Sequence, residues 1–303
     1  MRYKTNRLGF TLLELIFVIA IIGILGKFGA SFLAQSYSDF LYSKINNSLQ
    51  AKSEMAVEFI SKRLQFRIKD SIIRRKSSDN SFVALRDINN YGSDYNILEW
   101  IGSDSDGFRG ESLPLWSGVI DLDDSNSSTL KSPETNSTAL NNLIKTLSYD
   151  ESDINDSAIY FIGSDTNIDG YGWDGVALSE QNSSVIHPIS STPSDNNSSN
   201  FKSSIAGVDF SGVDIYEYYK LSWSAYAIEH NATTNQLTFY YNYQPWAGES
   251  FRDGKSAIIM EDISTFRFKS VGSIVKIQVC VKSDIIDGEN EGDYSLCKEK
   301  TIF

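Results

Sequence analysis

Glu14 is the side chain whose chemistry most needs explaining. It is the fifth residue of the otherwise apolar run 10–26. A lone charge buried in lipid costs about 2.5–3.5 kcal/mol, so something has to compensate for it. Arg2, Lys4 and Arg7 precede the run; a basic flank of this kind keeps the N-terminus on the cytoplasmic side while the rest of the chain is exported. The two cysteines, Cys280 and Cys297, lie on consecutive strand-like segments. In an exported chain they are expected to form a disulfide, which closes a loop worth about 3 kcal/mol in the chain-entropy view; the alternative is two reduced thiols too misaligned to bridge. Asp165, Asn167 and Asp169, followed by Gly170 and with Asp174 nearby, match the first half of a calcium-binding loop. The second half departs from it, with Val176 where a bidentate Glu is needed. The competing reading is an ion-free turn rich in Asp, Asn and Gly; Ser103–Gly107 is a weaker echo of the same pattern. The only histidines, His187 and His230, lack zinc-ligand spacing with the cysteines. No nucleophile elbow, phosphate loop or dinucleotide fingerprint is present, so neither catalytic residues nor a cofactor beyond structural calcium is expected. Tyrosines and tryptophans around 216–246 suit cross-strand core pairs, with a sugar-binding platform as the alternative.

These residues must be positioned by two contrasting parts of the chain. Residues 1–76 hold 13 Lys/Arg and 5 Asp/Glu, a net of +8; residues 77–303 hold 14 and 34, a net of −20. From 10 to 76 there is no proline and, after Gly29, no glycine. Val57, Ile60, Leu64 and Ile68 recur at helical spacing, so one long helix is expected over 10–76. Its inner part, 10–34, is expected to span a membrane, with Lys27 snorkelling to the outer interface; its outer part, 35–76, is expected to carry a solvated basic face over Lys62–Lys76 or a collar for acidic neighbours. Residues 77–303 read as β-rich, with strands expected at 81–85, 95–102, 116–122, 158–163, 218–229, 236–243, 256–261, 264–270, 273–282 and 294–302. The Ser/Asn-rich stretches 123–138 and 179–204 read as surface loops. The fold class is α+β.

The basic leader 1–9, the Gly9–Phe10 junction, Thr11-Leu-Leu-Glu14 and the apolar helix together resemble the class III signal of type IV pilins and of the pseudopilins of type II secretion. The resemblance covers about 35 residues directly. It implies cleavage by a prepilin peptidase between Gly9 and Phe10, methylation of Phe10, and pairing of Glu14, beside Thr11, with a neighbour's N-terminal amine. A long helix followed by an antiparallel sheet is similar to the heads of that family, and the late strands resemble those of larger minor pseudopilins of the J type. The tip-capping pseudopilin typically lacks the buried glutamate, so Glu14 argues for a subunit with a partner above it. The implied role is a non-enzymatic subunit of a secretion pseudopilus or pilus. It would be single-pass in a bacterial inner membrane, with its head in the periplasm or, once assembled, outside the cell. Its implied partners are other pilins or pseudopilins, the prepilin peptidase and the inner-membrane assembly platform; nucleic acid is not expected among them. The alternative is an anchored extracellular binding module, an adhesin or a DNA- or sugar-binding head, using the same signal. An ordinary secretory signal or plain signal anchor also starts basic and then turns apolar, but neither accounts for the acid.

Overall fold

The computed structural model describes residues 9, 11–86, 94–164, 166–191, 199–283 and 294–303. Helix α1 (Leu12–Leu64) is followed by β1 (Ile73–Arg75), β2 (Phe82–Ala84), β3 (Ile97–Ile101), α2 (Ser105–Arg109), β4 (Asp121–Asn126), β5 (Thr129–Lys131) and α3 (Ser137–Ser148). Then come β6 (Ala158–Phe161), β7 (Ile186–Ser190), β8 (Asn200–Ser203), β9 (Tyr219–Ser222), β10 (Ala225–Asn231), β11 (Gln236–Tyr243), β12 (Lys255–Met260), β13 (Ile263–Val271), β14 (Ile274–Lys282) and β15 (Ser295–Ile302). The chain divides into two units, 1–51 and 52–303. The first is helical. The second holds the end of α1 and every strand, and is the head.

The strands form three antiparallel sheets. The first has the order β12-β11-β10-β3-β1-β2, the second β4-β5-β8-β7-β6-β9, and the third β13-β14-β15. Strand β6 is buried along its whole length, and its alternation feeds two cores. Ala158 and Tyr160 join Ile97, Ile101, Ala227 and Tyr243 of the first sheet. Ile159 and Phe161 point the other way, to Leu140 and Ile144 of α3 and to Phe201 and Leu221. On the opposite side of the first sheet the last turns of α1 dock: the Phe59 and Phe239 rings meet edge-on at 5.2 Å, and the Arg63 guanidinium lies 5.4 Å from the Phe239 ring centroid.

Four expectations need correction. Helix α1 ends at Leu64 rather than near 76. Beyond it the Ile68 N–H donates to the Ile101 carbonyl at 2.9 Å, Ile68 and Ile72 are extended, and 73–75 becomes a strand between β2 and β3. Pairing with β3 outweighs the local helix propensity, which is only tenths of a kcal/mol per residue. The basic segment is therefore only in part a solvated helix face: Lys62 and Arg63 on the last turn of α1 are exposed, as is Lys69 beyond it. Arg67 and Arg75 are buried, and Arg63 and Lys76 lie against aromatic rings. Within 116–122 only 121–122 are strand, the start of β4; in 116–120 Gly118 has φ +76° and Val119 makes an isolated bridge to Tyr218. The expected strand 218–229 is two: β9 ends the second sheet and β10 enters the first. Finally, the Ser/Asn-rich stretches contain β5, β7 and β8. Leu130, Ile186, Ile189 and Phe201 are buried there, and buried serines are hydrogen-bonded, as in Ser132 Oγ to the Tyr219 hydroxyl at 2.8 Å.

At the centre of the first sheet the Arg75 Nε donates to Glu99 Oε1. The other Arg75 nitrogens donate to the carbonyls of Asn80 (2.9 Å) and Trp173 (2.8 Å), and the Tyr243 hydroxyl donates to Glu99 Oε2 at 3.2 Å. Burial pushes the Glu99 carboxyl up from its ordinary value, and Arg75 opposes that shift. Removing one member of a buried ion pair strands the other. Glu99→Ala is therefore expected to lower the unfolding free energy by about 3–5 kcal/mol, measured by urea denaturation, and Arg75→Met with Glu99→Leu to recover much of that loss.

His187 on β7 is buried as well, with Nδ1 3.1 Å from Gln181 Oε1. Burial pushes its imidazole down to about 4. The native state thus holds it neutral, while the unfolded chain takes up its proton near 6.5. Its contribution is complete above pH 6.5 and is lost as the pH falls toward 4, about 3 kcal/mol in all. Urea midpoints across that window should fall more steeply for the native chain than for His187→Gln.

Candidate functional site: the start of the N-terminal helix

Thr11 and Glu14 make a reciprocal cap on α1. The Thr11 carbonyl accepts the first intrahelical bond, from the Leu15 N–H at 3.2 Å. Its hydroxyl accepts from the Glu14 N–H at 3.3 Å. In return, Glu14 Oε2 accepts from the Thr11 N–H at 3.0 Å and from the Thr11 hydroxyl at 2.9 Å. This is the capping box, Thr at the N-cap and Glu three residues on. It places the carboxylate where the helix dipole favours negative charge. Part of the compensation Glu14 requires is thus intrachain, and the Thr-x-x-Glu spacing ahead of an apolar run is the sequence signal for it. Gly9 is exposed; Phe10 and the basic leader 1–8 lie outside the described residues.

Beyond the cap, α1 is apolar on every side as far as residue 33, with Lys27 the exception. Leu12, Ile16, Phe17, Ile22, Phe28 and Leu33 are all exposed, and an 18-residue window has mean hydropathy 2.3 with none of it buried. A helix apolar all round needs lipid or other helices as its surroundings. Lys27 is the one charge in residues 15–33.

In the head, Cys280 and Cys297 face each other across β14 and β15 and form a disulfide, with Cα atoms 3.9 Å apart. The residues marked for calcium do local work. Asn167 Oδ1 accepts from the Asp169 N–H at 3.2 Å and caps a 3-10 turn; Asp174 Oδ1 accepts from the Val176 N–H at 3.1 Å. Asp165 lies outside the described residues. Among the described residues no group of three or more His, Cys, Asp or Glu side chains is arranged to hold a metal ion. The weaker echo at Ser103–Gly107 is the cap of α2: Asp104 Oδ1 accepts from the Gly107 N–H at 3.0 Å and Oδ2 from Trp116 Nε1 at 3.1 Å. Burial pushes this carboxyl up. Sequence reasoning missed Arg67, whose burial pushes its guanidinium down from its ordinary value. It donates to the carbonyls of Leu64 at 2.7 Å, Ser273 at 2.7 Å and Phe303 at 3.5 Å, joining the end of α1 to the third sheet.

The exposed apolar helix is long enough to cross a membrane, and together with the motif match that follows it gives a membrane-anchored, single-pass chain. Residues 4–26 match the family model of the prokaryotic N-terminal methylation motif, and the chain accordingly carries the signal of a type IV pilin-like or pseudopilin precursor. That motif implies processing by prepilin peptidase and assembly with other pilins. No curated protein and no solved structure matches the chain significantly. Reducing the disulfide, or replacing Cys280 and Cys297 by Ser, is expected to cost about 3 kcal/mol of stability, read from urea unfolding with and without reductant.

Proposed function

We propose that this chain is a structural subunit of a type II secretion pseudopilus or a type IV pilus, a minor subunit of the J-like kind. It enters the inner membrane as a bitopic precursor, is cut after Gly9 and methylated on Phe10, and assembles through α1 with its head on the periplasmic side. The observation that carries this reading is the capped, all-round apolar helix coinciding with the methylation motif. The cap also leaves room for the pairing. Thr11 occupies Oε2 of Glu14, so Oε1 faces a neighbour's N-terminal amine as the remaining acceptor. A charged donor at that oxygen makes a hydrogen bond about twice as strong as a neutral one.

Two substitutions at one position separate the roles of Glu14. Gln fills the third position of a capping box as Glu does but carries no charge. Glu14→Gln is expected to keep the helix start and lose co-purification of other pilin-like proteins from membranes, and Glu14→Ala to lose both. Normal recovery of those partners by Glu14→Gln would sink the charge-pairing mechanism.

A further inference from the structure

An asparagine followed two places later by Ser or Thr, with no proline between, occurs eight times in the chain. This Asn-x-Ser/Thr spacing is the acceptor signal for N-linked glycosylation. The residue two places before the asparagine is Asp or Glu at six of the eight: Asn126, Asn136, Asn155, Asn182, Asn197 and Asn231. Asp and Glu make up 39 of the 303 residues, so composition alone would place one acid there. The neighbouring positions show that background, with one acid in eight at −3, one at −1 and one at +1. The carboxylate is thus tied to a single position rather than to acidic surroundings. Alternate side chains of an extended segment share a face, so one binding partner can meet carboxylate, amide and hydroxyl together. A carboxylate so placed accepts a charge-assisted hydrogen bond from an arginine or lysine.

The fold sorts these six. Asn126 ends β4 at its turn into β5, and Asp124, Asn126 and Ser128 are all exposed. Asn231 ends β10 at its turn into β11; Asn231 and Thr233 are exposed and Glu229 is half-buried. Asn182 lies in the turn leading to β7, with Glu180 and Asn182 exposed and Ser184 half-buried. The Asn126 side-chain oxygen accepts from the Ser128 and Thr129 N–H groups at 2.9 and 3.0 Å. That of Asn231 accepts from Thr233 and Thr234 at 2.9 and 3.2 Å. None of the three amide nitrogens donates a hydrogen bond among the described residues. By contrast Ser157, the hydroxyl that follows Asn155, is fully buried, and Asn136 caps α3. Asn197 lies outside the described residues.

We propose that Asn126, Asn182 and Asn231 are N-glycosylated on the exported side of the membrane by an oligosaccharyltransferase that reads the carboxylate two residues earlier. The inference rests on the exported head of the proposed function. The donor class is an oligosaccharide carried on a lipid diphosphate. The asparagine Nδ2 attacks C1 of the first sugar, and the N–C1 bond forms as the bond from C1 to the diphosphate oxygen breaks. The lipid diphosphate leaves with that electron pair, the amide gives up one proton to a base, and nothing is oxidised or reduced. The sugars then stand on surface turns, where a bulky polar group is accommodated.

Full-length chain purified in detergent from its own membranes is digested, and its peptides are sequenced by electron-transfer mass spectrometry, which leaves a sugar on its residue. An oligosaccharide is expected on Asn126, Asn182 and Asn231, and none on Asn46, where Lys44 stands in the acid's place. Asp124→Asn, Glu180→Gln and Glu229→Gln should each cut occupancy at its own asparagine at least tenfold. The other two sites, unchanged in each variant, report that folding and export are intact. Asp124→Glu should keep its site occupied. Bare peptides at all three sites, sugar on serine or threonine alone, or occupancy indifferent to the acid-to-amide changes would overturn the proposal. The cysteines in the same digest separate it from the reading beneath it. A bare head with the Cys280–Cys297 bond formed overturns glycosylation alone; a bare head with both thiols free overturns export as well.

Discussion

Two opposite charges share the middle of the first sheet, and the head is arranged around keeping them together. Taking a guanidinium and a carboxylate out of water is expensive, and their attraction repays that cost only with good geometry and further hydrogen bonds. Arg75 and Glu99 obtain both from five pieces of chain: β1, β3, the end of β11, the turn carbonyl of Asn80 and the carbonyl of Trp173. The pair adds little net stability over an apolar replacement. What it fixes is register, because a slip of β1 by one residue would turn Arg75 to the other face and leave two buried charges alone.

Arg67 plays a related part at the end of α1. The last carbonyls of a helix lack intrahelical donors, and here a buried guanidinium supplies one to Leu64 while also holding Ser273 and Phe303. Basic residues that look in sequence like a surface collar are therefore used as internal ties. Lys62, Arg63 and Lys69 of that segment stay exposed, and β13 adds exposed positive charge at Arg267 and Lys269.

Legibility in the sequence followed the range of the forces involved. The apolar helix, its Thr-x-x-Glu start and the strands β10, β11 and β13 to β15 are set by residues close to one another in the chain, by capping and by period-two alternation, so they could be read in advance. The cysteine pair was legible too, because two exported cysteines on neighbouring strands leave few alternatives. The end of α1 was not, since it depends on Ile68 meeting Ile101 from another strand. Strands β5, β7 and β8 were hidden among serines and asparagines, whose hydroxyls and amides are satisfied only once Tyr219 and Gln181 are in place. Helix α3 shows only two fully buried apolar positions, Leu140 and Ile144, too short a stripe to stand out from its polar surroundings.

The third sheet is also where traction along α1 enters the head. A pull on the helix passes to the first sheet through the Phe59–Phe239 ring contact. It passes to the third sheet through Lys300–Glu58, Lys52–Asp262 and the Arg67 tie to Ser273. That sheet is built of three strands, paired at eight positions along each of its two seams. The Cys280–Cys297 bond lies across its β14–β15 seam, so these two strands cannot slide past one another at that point. Its value is then mechanical as well as thermodynamic: it pins one seam of the sheet to which the end of α1 is tied.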